Sequence, residues 1–98
     1  MADERDEKMV LKVEVFTSPG CSKCAHARKV LKALVEKLGG ERIRWREVNI
    51  LEELDYAVEL GVLAAPAIAI DGTLVFTGMP RPARLRDYLL QRLGEDPA

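Results

Sequence analysis

The sequence predicts an α/β domain: a mixed four-stranded sheet with helices on both faces, in the order β-α-β-α-β-β-α. Three observations lead there. The apolar period changes from two residues to 3.6 just after Ser18-Pro19-Gly20. A second helical stretch then separates two more runs of strand character. Asp71-Gly72 joins the last two runs through two residues, the pattern of an antiparallel hairpin. Strands joined by a helix run parallel and hairpin strands do not, so the sheet is mixed.

In chain order, Val10 to Phe16 alternates and is rich in β-branched residues, a strand with Leu11, Val13 and Val15 on one face. From Cys21 to about Leu38, Ala27, Val30, Leu31, Leu34, Val35 and Leu38 form a helical apolar stripe, which Gly39-Gly40 ends. Ile43 to Val48 is a second strand whose charged positions point to a sheet edge. Asn49 is the expected N-cap of a short helix, with Glu52 as its capping-box partner and Leu51, Leu54, Val58 and Leu60 turned inward. Pro66–Ile70 and Leu74–Thr77 are the hairpin strands. Pro82 opens a last helix that buries Leu85, Tyr88, Leu89 and Leu93 and stops at Gly94. Residues 1–9, mixed in charge, read as a disordered arm, 10–94 as the single domain and 95–98 as a frayed end.

With 15 Lys and Arg against 16 Asp and Glu, the net charge is −1, which gives no global pull toward nucleic acid or an anionic membrane. No apolar run approaches the roughly 18 residues of a membrane span. Residues Met1 to Lys8 lack the apolar core of a secretory leader. The expectation is a cytoplasmic monomer, in a reducing compartment where a permanent structural disulfide is disfavoured.

The chemistry concentrates at Cys21-Ser22-Lys23-Cys24, on the strand-to-helix junction. Unpaired N–H groups at a helix start stabilise a thiolate. Cys21 sits at that mouth, and Cys24 lies one turn inward and is more shielded. A spacing of three puts both sulfurs on one turn, so one attacks a disulfide and the other resolves the mixed disulfide. Two cysteines placed at random would fall three apart only about one time in fifty, so the spacing is informative. Lys23 adds a positive charge that favours thiolate. Zinc is disfavoured, because four ligands are needed and only Cys21, Cys24 and His26 lie close in sequence. No metal or cofactor is expected. His26 reads as a solvated helix residue. Lys23, Arg28 and Lys29 form either a solubilising face or a match for partners with an acidic rim.

Phe16 to Cys24 resembles the first strand and active-site turn of the thioredoxin superfamily, in its glutaredoxin-like branch. Val62 to Gly72 resembles that family's cis-proline segment and following hairpin. The resemblance covers about residues 10–93. It implies a thioredoxin-like fold and a thiol–disulfide oxidoreductase with both cysteines exposed at one end of the sheet. Cys21 and Cys24 are then catalytic, and Lys23 tunes Cys21. It also implies a cis Ala65–Pro66 bond, with Ala65, Pro66 and Gly78 as substrate-binding positions and the Ala65 backbone as a strand edge for a peptide. Partners would be disulfide-containing proteins and a thiol reductase or low-molecular-weight thiol.

The chain departs from the family pattern in several places. Gly20 replaces a Trp before the first cysteine, and Ser22-Lys23 replaces Gly-Pro. Val15 stands where thioredoxins bury an acidic residue. Ser18 stands where glutathione-binding members often carry Lys, and Gly78-Met79-Pro80-Arg81 keeps only the first glycine of their Gly-Gly segment. The main alternative is a soft-metal carrier of the copper-chaperone kind, since thiolates suit Cu(I). The element order and Ser18-Pro19-Gly20 ahead of Cys21 argue for redox chemistry instead.

Overall fold

The computed structural model describes residues 10–94. The expected terminal arms, 1–9 and 95–98, lie outside the described residues. The elements run β1 (Leu11–Thr17), α1 (Ser22–Gly39), a 3₁₀ turn (Gly40–Arg42), β2 (Ile43–Asn49), α2 (Leu54–Leu60), β3 (Ala67–Ile70), β4 (Thr73–Thr77) and α3 (Pro82–Gly94). This is the expected string, with Pro66 placed just ahead of β3 rather than in it.

The sheet order is β2-β1-β3-β4. β1 and β2 are parallel, with Leu11 opposite Ile43 and Thr17 opposite Asn49. β3 is antiparallel to both β1 and β4. The charged strand β2 is thus an edge, as its Arg and Glu positions indicated. Asp71 and Gly72 both take positive φ, 53° and 81°, as the tight hairpin turn requires.

Each face of the sheet has its own core. Leu11, Val13 and Val15 of β1 meet Ala27, Leu31 and Val35 of α1 and Leu85 and Leu89 of α3. On the opposite face Phe16, Ala67 and Ala69 pack with Val48, Ala57 and Val62 under α2. β1 is therefore covered on both sides, and its alternation conceals a second buried face.

Two expectations for residues 49–60 are corrected. Leu51, Leu54 and Val58 are exposed at 67%, 52% and 67%, while Ala57 is buried and Tyr56 and Leu60 partly so. The larger aliphatic residues suggested a stripe whose phase is wrong. Ala57 faces in and packs with Phe16, Val48, Val62, Ala67 and Ala69. Asn49 does not cap α2, which starts five residues later. Its Oδ1 accepts the N–H groups of Leu51 (2.9 Å) and Glu52 (3.3 Å), closing a turn instead. Glu53 precedes α2 without a side-chain cap.

Candidate active site

The carboxyl end of β1 delivers the chain to Ser18-Pro19-Gly20, and Gly20 at φ 77° turns it into α1. Cys21 occupies the position before the first helical residue. The Cys24 N–H donates both to the Cys21 carbonyl (3.2 Å) and to Cys21 Sγ (3.1 Å). The Cys21 sulfur therefore takes the role of a capping oxygen, accepting one of the amides that a helix start leaves unpaired.

Cys21 and Cys24 form a disulfide across a Cα–Cα distance of 5.3 Å. Cys21 is half-buried, whereas Cys24 is only 4% exposed. Cys24 is the more shielded of the two, as its place one turn inward indicates, but the expectation that both cysteines are exposed fails for it. The apolar stripe of α1 begins at Cys24 and continues through Ala27, Leu31 and Val35, so the second cysteine belongs to the core side.

Two clefts flank the pair. One, of about 480 Å³, is lined by Thr17, both cysteines, Ala25, Arg28 and Asn49, among others. The other, of about 550 Å³, is lined by Ser22, Lys23 and His26 from α1 and by Ala65, Pro66, Gly78 and Met79. Ala65–Pro66 is cis. The Gly78 N–H donates to the Pro66 carbonyl at 2.8 Å, joining the segments that enter β3 and leave β4. Ala65, Pro66, Gly78 and Lys23 are thereby gathered on one groove, with Ser22 shared between the two clefts. His26 lines this groove too, three residues from Lys23 on the same helix face, which is the spacing that could have revealed it.

Sequence reasoning missed one polar cluster. Glu14, 9% exposed, lies in the middle of β1 and accepts hydrogen bonds from Tyr56 Oη and from Arg46 (3.1 Å), which also pairs with Glu53. Glu14 sits opposite Arg46 in the parallel register, a charge pairing visible in the two strands once aligned. This carboxylate belongs to the α2 face. Val15, completely buried, faces α1. Among the described residues no group of three or more His, Cys, Asp and Glu side chains is placed to hold a metal. No helix among them is long and apolar enough to cross a membrane.

A disulfide-forming cysteine pair at a helix start, over one end of a mixed four-stranded sheet, defines a dithiol–disulfide protein. Comparison with known proteins agrees. The sequence profile of the Thioredoxin domain family matches residues 11–90, and the chain belongs to that family. It is 40% identical over 88 residues to a probable thioredoxin of Methanothermobacter thermautotrophicus, spanning 90% of this chain and 98% of the relative. It is 31% identical over 83 residues to a thioredoxin of Methanocaldococcus jannaschii, spanning 85% and 96%.

A solved protein disulfide oxidoreductase from Aeropyrum pernix superposes with a TM-score of 0.76 at 27% identity, over 96% of this chain and 44% of that one. A Halobacterium salinarum thioredoxin mutant, at 19% identity and TM-score 0.73 over 91% and 80%, shares the fold. At the level of the family, the chain is a thiol–disulfide oxidoreductase, a class that works on disulfide-containing substrates with a reductase partner.

Proposed function

We propose that the chain reduces or exchanges disulfides of protein substrates, with Cys21 as nucleophile and Cys24 as resolving thiol. The supporting observation is the asymmetry of the pair. The sulfur that a substrate reaches, on half-buried Cys21, is also the one that accepts a helix-start N–H at 3.1 Å. Such amides favour a thiolate over a thiol. Lys23, exposed in the same first turn, adds positive charge in the same sense.

From the reduced dithiol, the Cys21 thiolate attacks one sulfur of the substrate disulfide. A Cys21–substrate S–S bond forms as the substrate's own S–S bond breaks, and the departing sulfur takes up a proton. Cys24 then gives up its proton and attacks Cys21 Sγ. The mixed disulfide breaks, the second substrate sulfur leaves as a thiol, and Cys21–Cys24 closes. Two electrons and two protons pass to the substrate. A thiol reductase or a low-molecular-weight thiol restores the dithiol, and the sequence of steps uses no bound cofactor. Ala65 takes part in none of the sheet's strand pairings, so its N–H and C=O form the edge beside which an extended substrate segment lies, next to Pro66 and Gly78. A monomer in the reducing cytoplasm suits this cycle.

The test is mixed-disulfide trapping. Cys24→Ser, incubated with a disulfide-bonded substrate protein, accumulates a covalent adduct through Cys21, and Cys21→Ser accumulates none. An adduct through Cys24 in the Cys21→Ser variant would reverse the assignment.

A further inference from the structure

The charges around the cysteine pair run against what the helices themselves prefer. α1 has no acidic residue in its first turn. Lys23, His26, Arg28, Lys29 and Lys32 all precede Glu36, its first carboxylate. α3 repeats the arrangement: Arg81 stands immediately before it, Arg84 follows, and its first turn holds no acid. A helix start carries partial positive charge and favours acidic neighbours, so both helices lose stability by this choice. A local preference broken at the functional end of a fold points to a role outside folding.

The groove beside the cysteines has the same sign. Lys23 and His26 line its α1 side, while Ala65, Pro66, Gly78 and Met79 line its loop side. Among the described residues no carboxylate lines this groove or the neighbouring cleft, where Arg28 is the charged residue. Four of the described arginines pair with carboxylates: Arg28 with Glu47, Arg46 with Glu14 and Glu53, Arg86 with Asp87, Arg92 with Asp71. Lys23, His26 and Arg81 have no such partner among the described residues. Past Asn49 in the chain the sign changes, with Glu52, Glu53 and Asp55. A chain of net charge −1 thus keeps an unmatched lysine, Lys23, with His26 beside it, on the groove side of its cysteine pair.

From this we infer that the groove selects an extended substrate segment bearing an acidic side chain next to its disulfide cysteine. The inference rests on the redox reading above and specifies its substrate class. An extended segment laid along Ala65 directs alternate side chains to opposite sides, and those on the α1 side meet Lys23 and His26. Charge matching of this kind acts mainly on encounter and register, so it appears in the second-order rate and is lost in salt.

The experiment uses symmetric disulfides of three otherwise identical peptides, with Glu, Ser or Lys on both sides of the cysteine. Each rate with the reduced protein is divided by the rate with dithiothreitol, which removes the intrinsic reactivity of each disulfide. The Glu peptide is expected to react about five- to tenfold faster than the Lys peptide at low salt, with the ratio falling below about two at about 0.5 M salt. The double variant Lys23→Ser with His26→Ser loses the preference at low salt. Lys32→Ser, exposed and outside the groove, keeps it. Any effect of Lys23 on the Cys21 thiolate scales all three rates together and leaves the ratio intact. A wild-type ratio within twofold of one, or a ratio unchanged in the double variant, overturns the inference while leaving the redox reading standing. Failure to reduce any of the three overturns both.

Discussion

Tyr56 of α2 donates its phenolic hydrogen to Glu14 of β1, 42 residues away, and pins the second helix to the centre of the sheet. Tyr56→Phe leaves Glu14 with Arg46 alone, and the expected cost is about 1–2 kcal/mol in denaturant unfolding. The pair also has a pH dependence. Burial first, and then the hydrogen bond to Glu14, push the Tyr56 hydroxyl up to about 12 from its ordinary 10.0. A folded value above the unfolded one means that this contribution is complete below pH 10 and disappears as pH rises through about 12. Because the ring is partly exposed, solvent screening limits this pH-linked part to about 1 kcal/mol. The stability gap between wild type and Tyr56→Phe should narrow over that interval, and a constant gap would remove the link.

A second clamp lies at the opposite end of the sheet. Asp71, at φ 53°, accepts the Lys12 N–H (2.9 Å) and pairs with Arg92 (3.0 Å), tying the hairpin turn to β1 and α3. Asp71→Ala loses both contacts and places a poor residue in the left-handed region, which costs about 1–2 kcal/mol. Asp71→Asn keeps the acceptor for Lys12 and tolerates the backbone, so thermal unfolding should place it between wild type and Asp71→Ala.

Gly39 is set by space rather than by backbone angle. A Cβ added there would overlap the Ile43 side chain, including Ile43 Cβ at 2.9 Å, which cannot swing away. Gly39→Ala should therefore destabilise by about 1–3 kcal/mol, despite the better helix propensity of alanine. Its disulfide-exchange rate should match wild type wherever it remains folded, since α1's start is untouched.

The elements and the cysteine site were legible because they depend on local pattern. The change of period at Gly20, the Asp71-Gly72 turn and the three-residue cysteine spacing each act within a few residues. What escaped depends on the packing partner. Ala57, in place of Leu54 and Val58, turns inward onto Phe16, Val48 and Ala67, partners that lie far away in sequence. Glu14 reads as a solvent-facing position in an alternating strand until α2 covers that face and Tyr56 and Arg46 satisfy it. Cys24 reads as more shielded than Cys21, but its full burial shows only when the stripe of Ala27, Leu31 and Val35 is extended back one turn. His26, solvated by pattern alone, joins Lys23 on the groove only when Ala65 and Pro66 are brought alongside.

Cys21 and Cys24 should act as one two-electron redox couple. The direct measurement is equilibration of the protein in a series of dithiol–disulfide buffers under metal-free conditions, with free thiols counted by mass. Both cysteines are expected to convert together in a single transition, with a midpoint between about −270 and −120 mV, the span from reducing to strongly oxidising proteins of the thioredoxin type. Thiols that stay free across the series, or that are protected only when a soft metal ion is added, would contradict it and favour a metal-carrying role for the same pair.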